Sequence, residues 1–198
     1  AHSAATIVCG SDAFFQETIM SRPIRIEFPG AIYHVTSRGL GGQKIFLDDE
    51  DRHFFLDWLG KICQRFHWIC HAYCLMQDHY HLVIETQDAN LSAGMRELNG
   101  TYTQRYNRCY DMQGPVMQGR FKAILLERES VLLQVCRHVV LNPLRLKEVR
   151  ILEKYRWSSY RASAGIDPPV PGVSYEWLWA QFGKRQKKVF ERYQEYVK

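Results

Sequence analysis

Two histidines separated by one residue are the strongest chemical signal in the 198-residue chain. His79 and His81 flank Tyr80 in a stretch whose residues favour a β-strand. Residues two apart in a strand point to the same face, about 7 Å apart along the chain, so both imidazoles can reach one metal ion. In isolation the pattern is weak, because it also arises by chance in a chain with eight histidines.

A second pair, His138 and Asn142, lies four residues apart in a predicted helix. That spacing places both on one helix face, about 6 Å apart along the axis. Asn142 can offer an oxygen ligand, with His138 facing the same pocket. In the alternative, Asn142 only caps the helix before Pro143, and this helix alone favours that alternative.

Basic residues are concentrated in the last third of the chain. Residues 137–161 carry seven basic and two acidic side chains, a balance equal to the net charge of +5 of the whole chain. Upstream, basic and aromatic residues alternate: Arg105, Arg108, Arg120 and Lys122 with Tyr102, Tyr106, Tyr110 and Phe121. Such segments offer phosphate contacts and stacking surfaces for unpaired bases. A solvated basic face is the alternative, at about even weight.

Composition and cysteine usage exclude several classes of protein. A hydrophobic fraction of 46% is enough for a packed core and excludes a disordered or fibrous chain. There is no apolar run of about 18 residues, so we expect no membrane partner and a soluble, cytoplasmic, nucleoid-associated protein. The six cysteines lie mostly in apolar segments, which predicts free thiols. Cys70 and Cys74 lack a second ligand pair at zinc-finger spacing.

The elements that must position these residues follow an α+β order. Strands are predicted at 32–37, 68–76, 79–86 and 121–126, and helices at 49–66, 91–108 and 130–142. Gln77 and Asp78 fit a two-residue hairpin, and Asn90 is expected to cap the second helix. This order predicts a ferredoxin-like antiparallel sheet covered by helices. We expect an N-terminal extension at 1–19, disordered or introduced by cloning, a main domain at 20–163, and a linker with a basic aromatic tail at 164–198.

The order of the motifs resembles the REP-associated tyrosine transposases, a branch of the single-tyrosine HUH transposases. The resemblance is carried by RPIRIEFPGAIYHVTSRG at 22–39, HYHL at 79–82, GRFK at 119–122, LNPLR at 141–145 and WSSY at 157–160. It covers roughly residues 20 to 163, and the motifs in this order are very specific.

The resemblance implies an HUH domain that binds single-stranded or hairpin-forming DNA and cuts and rejoins it with Mg²⁺ or Mn²⁺. It assigns the metal to His79, His81 and Asn142, and it implies that the metal polarises the scissile phosphate while a helix-borne tyrosine attacks phosphorus. The residues expected to contact DNA are Arg38, Arg105, Arg108, Arg120, Lys122, Arg137 and Arg145. Related transposases form dimers while some REP-associated members act alone, so a homodimer is left open.

The chain departs from this family at the nucleophile, because the position of the tyrosine holds His138. A phosphohistidine hydrolyses readily and does not preserve a DNA strand for rejoining as an aryl phosphodiester does. The leading hypothesis is therefore a hairpin-DNA-binding transposase relative whose strand transfer is in doubt. A catalytically inactive hairpin-binding module is the alternative. A cytosolic zinc hydrolase that uses the histidine pair is a remote third, since it needs a further ligand.

Overall fold

The computed structural model describes residues 26–126 and 129–198, so the expected extension at 1–19 lies outside the described residues. The main elements alternate as predicted. They are β1 (Ala31–Arg38), α1 (Asp49–Arg65), β2 (Trp68–Leu75), β3 (His79–Thr86), α2 (Leu91–Tyr110), β4 (Lys122–Leu125) and α3 (Glu129–Val140). Four shorter or C-terminal helices follow, namely α4 (Asn142–Arg145), α5 (Tyr160–Ser163), α6 (Glu176–Ala180) and α7 (Gln186–Val197).

The four strands form one antiparallel sheet in the order β2-β3-β1-β4, which confirms the predicted α+β fold. Strand order and connectivity are those of the ferredoxin-like arrangement. The hairpin is closed by a hydrogen bond from the Met76 amide to the His79 carbonyl, 2.8 Å long. Among the described residues, no helix is long and apolar enough to cross a bilayer.

The two faces of the sheet are covered differently. Helices α1 and α2 cover one face, which holds the larger core, including Tyr33, Val35 and Leu82. Helix α3 packs on β2 and β3 on the opposite face, which we call the α3 face. Ile124 of β4 lies opposite His34 and is 63% exposed, so the β1–β4 side of the α3 face is open.

Asn90 precedes α2 as predicted, but its side chain does not cap the helix. Its amide oxygen accepts from the Trp68 indole at 2.7 Å, and its amide nitrogen donates to the Phe66 carbonyl at 2.9 Å. The amide therefore joins α2 to the start of β2. Gly94 belongs to the same contact, because a Cβ there would overlap the Trp68 ring.

Helix α3 ends at Val140, two residues before the predicted end, and a separate short helix begins at Asn142. Pro143 explains the break, because it lacks an amide hydrogen and suits the first turn of a new helix. The Asn142 side-chain amide donates to the carbonyls of His138 and Val139, at 3.2 and 3.1 Å. It satisfies carbonyls that the end of a helix leaves free.

The segment 164–198 packs on the rest of the chain. A buried cluster joins Val140, at the end of α3, to Leu178 of α6 and to Tyr193 and Val197 of α7. Ser174 donates its amide to the Cys70 carbonyl at 2.8 Å. The division of the chain into domain, linker and tail stays a prediction, but α6 and α7 share a buried cluster with the end of α3.

We expect Gly94→Ala to lower the free energy of unfolding by about 1–3 kcal/mol, because the new methyl group overpacks against Trp68. Gly100 is the matched control in the same helix, since a Cβ there meets open space. Gly100→Ala should raise the free energy of unfolding by about 0.5–1 kcal/mol through helix propensity. Urea denaturation measures both, and equal effects of the two substitutions would contradict the packing role of Gly94.

Candidate functional site

Strand register brings three histidines together on the α3 face. His79 and His81 alternate with the buried Tyr80 along β3, and Thr36 of β1 pairs with His81. His34 lies two residues before Thr36, so it is a diagonal neighbour of His81 on the same face. The ring centroids of His34 and His81 are 5.2 Å apart and those of His79 and His81 are 5.1 Å apart.

The Nδ1 atom of each histidine on β3 is engaged by a neighbour. His81 Nδ1 lies 3.0 Å from His34 Nε2. His79 Nδ1 lies 2.5 Å from Oδ1 of Asp78, whose other oxygen accepts from Arg38 at 2.8 Å. In the part of the chain that the structure describes, no hydrogen bond occupies Nε2 of His79 or His81. Nε2 is therefore the nitrogen of each ring that could face a ligand.

Burial keeps the central pair of imidazoles neutral. Burial, assisted by the nearby His138, lowers the pKa of His34 to about 4. Burial, assisted by the neighbouring histidines, lowers the pKa of His81 to about 3. Burial opposes ionisation of Asp78, but its contacts with His79 and Arg38 outweigh this and lower its pKa. At neutral pH the imidazoles of His34 and His81 are therefore neutral, and the Asp78 carboxyl is ionised.

A cleft of about 450 Å³ opens beside these histidines. Its lining is polar and basic, and comprises Thr36, Ser37, Arg38, His79, His81, Gln118, Arg120 and Lys122. Arg120 and Lys122 are exposed, and no ion pair neutralises either of them within the described residues. Three of the seven cations expected to contact DNA, namely Arg38, Arg120 and Lys122, thus lie at the predicted histidine pair.

Helix α3 places His138 next to this group. The ring centroids of His138 and His34 are 6.1 Å apart, edge to face. Arg145, from α4, lies 2.5 Å from His138 Nδ1 and 3.4 Å from Nε2. Burial and the Arg145 guanidinium together lower the pKa of His138. Because a guanidinium only donates, His138 accepts at Nδ1 and carries its proton on Nε2.

Asn142 is buried, and its amide nitrogen is used by the end of α3. No hydrogen bond among the described residues joins it to His79 or His81. Its side chain therefore has the capping role that the sequence left open, and only Oδ1 remains to serve as a ligand. Whether Asn142 also binds metal stays a prediction.

The donor set fits a divalent metal ion in part. His79 and His81 both line the cleft, and Nδ1 of each is held by a second residue, as is common for metal-binding histidines. Within 26–126 and 129–198, no group of three or more His, Cys, Asp or Glu residues is arranged to hold a metal. Cys70 and Cys74 cannot share zinc, because the bulge at His71 places them in cores on opposite faces of the sheet.

The other predicted DNA contacts lie elsewhere. Arg105 pairs at 2.8 Å with Asp51, whose side chain is 1% exposed, so it stabilises the packing of α2 on α1. Arg137 stacks on Tyr196 of α7, and Arg108 is exposed on α2. None of the three lines the cleft. A DNA contact by any of them stays a prediction.

The prediction that Tyr102 and Tyr106 form a stacking surface on α2 is wrong. Tyr102 and Tyr106 are buried in the core of the α1 and α2 face, where their hydroxyls donate to the Ile45 and Lys44 carbonyls. Phe121 is buried in the same core. These rings cannot stack on bases while the core is intact, since their faces are covered.

Sequence reasoning missed His34 and Asp78. His34 belongs to a strand whose side chains alternate between the two faces, so the sequence alone places it on the same face as Thr36. Its approach to His81 depends on the register between β1 and β3, which no local pattern contains. Asp78 was assigned only to the hairpin, although its position next to His79 was a usable signal.

With this geometry in hand, comparisons with known proteins identify the family. A family model described as transposase IS200 like matches residues 29–129. Because the match spans half of the chain, the chain belongs to the IS200-like transposase family. The resemblance found in the sequence motifs is thereby confirmed.

A solved structure supports the fold assignment. A structure of a REP-associated tyrosine transposase bound to a REP hairpin matches with a TM-score of 0.61 and 15% identity, covering 78% of this chain and 92% of that chain. A tRNA(His) guanylyltransferase from Saccharomyces cerevisiae matches with a TM-score of 0.43 and 8% identity, covering 92% of this chain and 84% of that chain. The second likeness is too low to support an argument. No curated protein matches the chain.

We expect Arg105→Met to lower the free energy of unfolding by about 1.5–3 kcal/mol, because it leaves the buried Asp51 carboxylate without its cationic partner. Arg120→Met is the control, since Arg120 is exposed. It should change the free energy of unfolding by less than about 0.5 kcal/mol. Urea denaturation at neutral pH measures both, and a silent Arg105→Met would contradict the structural role.

Proposed function

We propose that the chain binds folded single-stranded DNA, such as a hairpin with unpaired flanks, with a backbone phosphate in the histidine cleft. The observation that carries this proposal is the position of Arg38, Arg120 and Lys122 around His79 and His81. Family membership supports it, and so does the REP hairpin held by the solved neighbour. The partner would be recognised through its phosphates and through its folded shape.

The basic residues explain why a phosphate would enter this cleft. Within the described residues neither Arg120 nor Lys122 has a counter-ion, so a phosphate brought to them would gain charge-assisted hydrogen bonds without breaking an ion pair of that part of the chain. Arg38 already pairs with Asp78, whose second oxygen holds His79. It would therefore link the phosphate to the histidines rather than supply a free charge.

A divalent metal ion, Mg²⁺ or Mn²⁺, completes the proposed site. His79 and His81 would hold it through Nε2, and Asn142 Oδ1 is the further ligand that the family resemblance implies. When bound, the metal would polarise a phosphate oxygen and stabilise charge that develops on it. Asp78 and His34 keep the two rings oriented towards the cleft.

Cleavage and rejoining of DNA are the reactions that the resemblance implies, with His138 at the position of the nucleophile. A catalytically inactive hairpin-binding module is the second candidate, and Arg145 favours it. Arg145 donates to Nδ1 of His138, so the proton lies on Nε2 and neither nitrogen offers a free lone pair. The residues that would bind DNA are the same for both candidate functions.

We expect hairpin DNA with unpaired flanks to bind more tightly than blunt duplex, with an affinity that falls steeply as salt rises. Arg120→Ala should weaken hairpin binding about tenfold and reduce the salt slope by about one, as loss of one phosphate contact requires. Lys61→Ala on α1 is the control, because α1 covers the other face of the sheet, and it should bind like the parent. Fluorescence anisotropy over a salt titration measures this, and equal affinity for hairpin and duplex would overturn the proposal.

We expect His138→Tyr to form an acid-stable, SDS-resistant adduct with labelled single-stranded DNA in the presence of Mg²⁺ or Mn²⁺. The phenol supplies the oxygen nucleophile that the family uses, while the parent chain should form only an acid-labile adduct or none. His138→Phe is the control, since it has the ring without the hydroxyl. An acid-stable adduct from the parent would show that another tyrosine acts. No adduct from either protein would favour the binding module.

A further inference from the structure

We propose that His34 is a positioning residue for the metal site: it accepts the Nδ1 hydrogen of His81 and thereby keeps the His81 Nε2 lone pair free for a divalent cation. This inference rests on the proposed function, because it needs His81 to be a metal ligand. The carrying observation is the distance of 3.0 Å between His34 Nε2 and His81 Nδ1.

One hydrogen decides whether His81 can bind a metal. Two neutral imidazoles share a single N–H in their hydrogen bond. If His81 donates from Nδ1, its Nε2 has a lone pair directed away from His34. If His34 donates instead, the proton of His81 lies on Nε2 and that nitrogen cannot be a ligand. Metal binding therefore selects the arrangement in which His34 is the acceptor.

His79 has a comparable arrangement with a stronger acceptor. Its Nδ1 faces the Asp78 carboxylate, which accepts only and so holds the Nδ1 hydrogen. Nε2 of His34, in contrast, accepts only in the neutral tautomer that carries its proton on Nδ1. The His81 side of the site is therefore held less firmly than the His79 side, and it depends on a residue of a different strand.

The surroundings of His34 keep its ring in place. It is half-buried, its ring plane lies at 21° to that of His81, and it contacts the His138 ring at a steep angle. His34 thus stands between the proposed metal ligand and the helix that carries the nucleophile position.

The test compares two substitutions of similar length, His34→Gln and His34→Met. Glutamine retains an oxygen acceptor near the position of Nε2, whereas methionine has none of comparable strength. We expect His34→Met to weaken Mn²⁺ binding by about 10–100-fold, as loss of such a supporting contact does at other metal sites. His34→Gln should bind within a few-fold of the parent. Isothermal titration calorimetry with Mn²⁺ alone measures the affinities.

A second readout reports the tautomer without any metal. Long-range proton–nitrogen NMR correlations on protein with ¹⁵N-labelled histidine should place the His81 proton on Nδ1 in the parent and in His34→Gln. In His34→Met the proton should shift at least partly to Nε2. A merely structural role for His34 would not move this signature, and the glutamine variant remains informative if the methionine variant does not fold.

Two control variants separate this inference from the proposed function. His81→Ala should abolish Mn²⁺ binding, and His53→Met, at an exposed histidine on α1, should leave it unchanged. If the parent binds no Mn²⁺, the proposed metal site is wrong and this inference falls with it. If the parent binds Mn²⁺ but His34→Met binds equally well with an unchanged His81 tautomer, the inference alone is overturned. Equally weak binding by His34→Gln and His34→Met would also overturn it.

Discussion

The antiparallel register between β1 and β3 is the constraint on which the rest of the structure depends. It pairs Val35 with Leu82 and Thr36 with His81, so the first pair enters the core under α1 and α2 while the second pair lies on the α3 face. Since side chains alternate along a strand, a slip by one residue would exchange these sets and bury the imidazoles among aliphatic groups. The energy of the apolar core thus holds the histidine cluster together, although the cluster contributes little to that core.

Elements defined by strong local periodicity could be predicted from the sequence, and junctions set by tertiary contacts could not. β3 was predicted with its observed bounds, and the acids at 48–50 mark the start of α1 because Asp48 accepts from the amide of Asp51. The Asn90 side chain was misread because Trp68, distant in sequence, competes for its oxygen. The bulge at His71 changes which face Cys74 occupies, and apolar residues on both sides of it hide this change in parity.

The same distinction between local patterns and tertiary contacts applies to the residues of the site. The histidine pair could be read because both residues belong to one strand and their spacing fixes a common face. The density of basic residues along the chain, in contrast, does not show where each side chain points. Arg105 and Arg120 look equivalent in sequence, but Arg105 neutralises a buried carboxylate, whereas Arg120 lines the cleft. Tyr102 and Tyr106 were misread for a related reason, because an aromatic stripe at helical spacing fits a core as well as a nucleic-acid surface.

Binding and chemistry make separate demands on this cleft. Binding of a phosphodiester, as proposed, needs cations in a cleft, and Arg120 and Lys122 line the cleft beside the histidine pair. Cleavage with rejoining needs in addition an oxygen nucleophile whose phosphoester survives until the strand is religated. An imidazole at position 138 lacks that oxygen, and the Arg145 contact also occupies its basic nitrogen. Position 138 belongs to α3, whereas β1, β3, β4 and the segment that leads into β4 carry the proposed binding groups. Under the proposed function, a change of nucleophile at position 138 would therefore leave the surface that would hold DNA undisturbed.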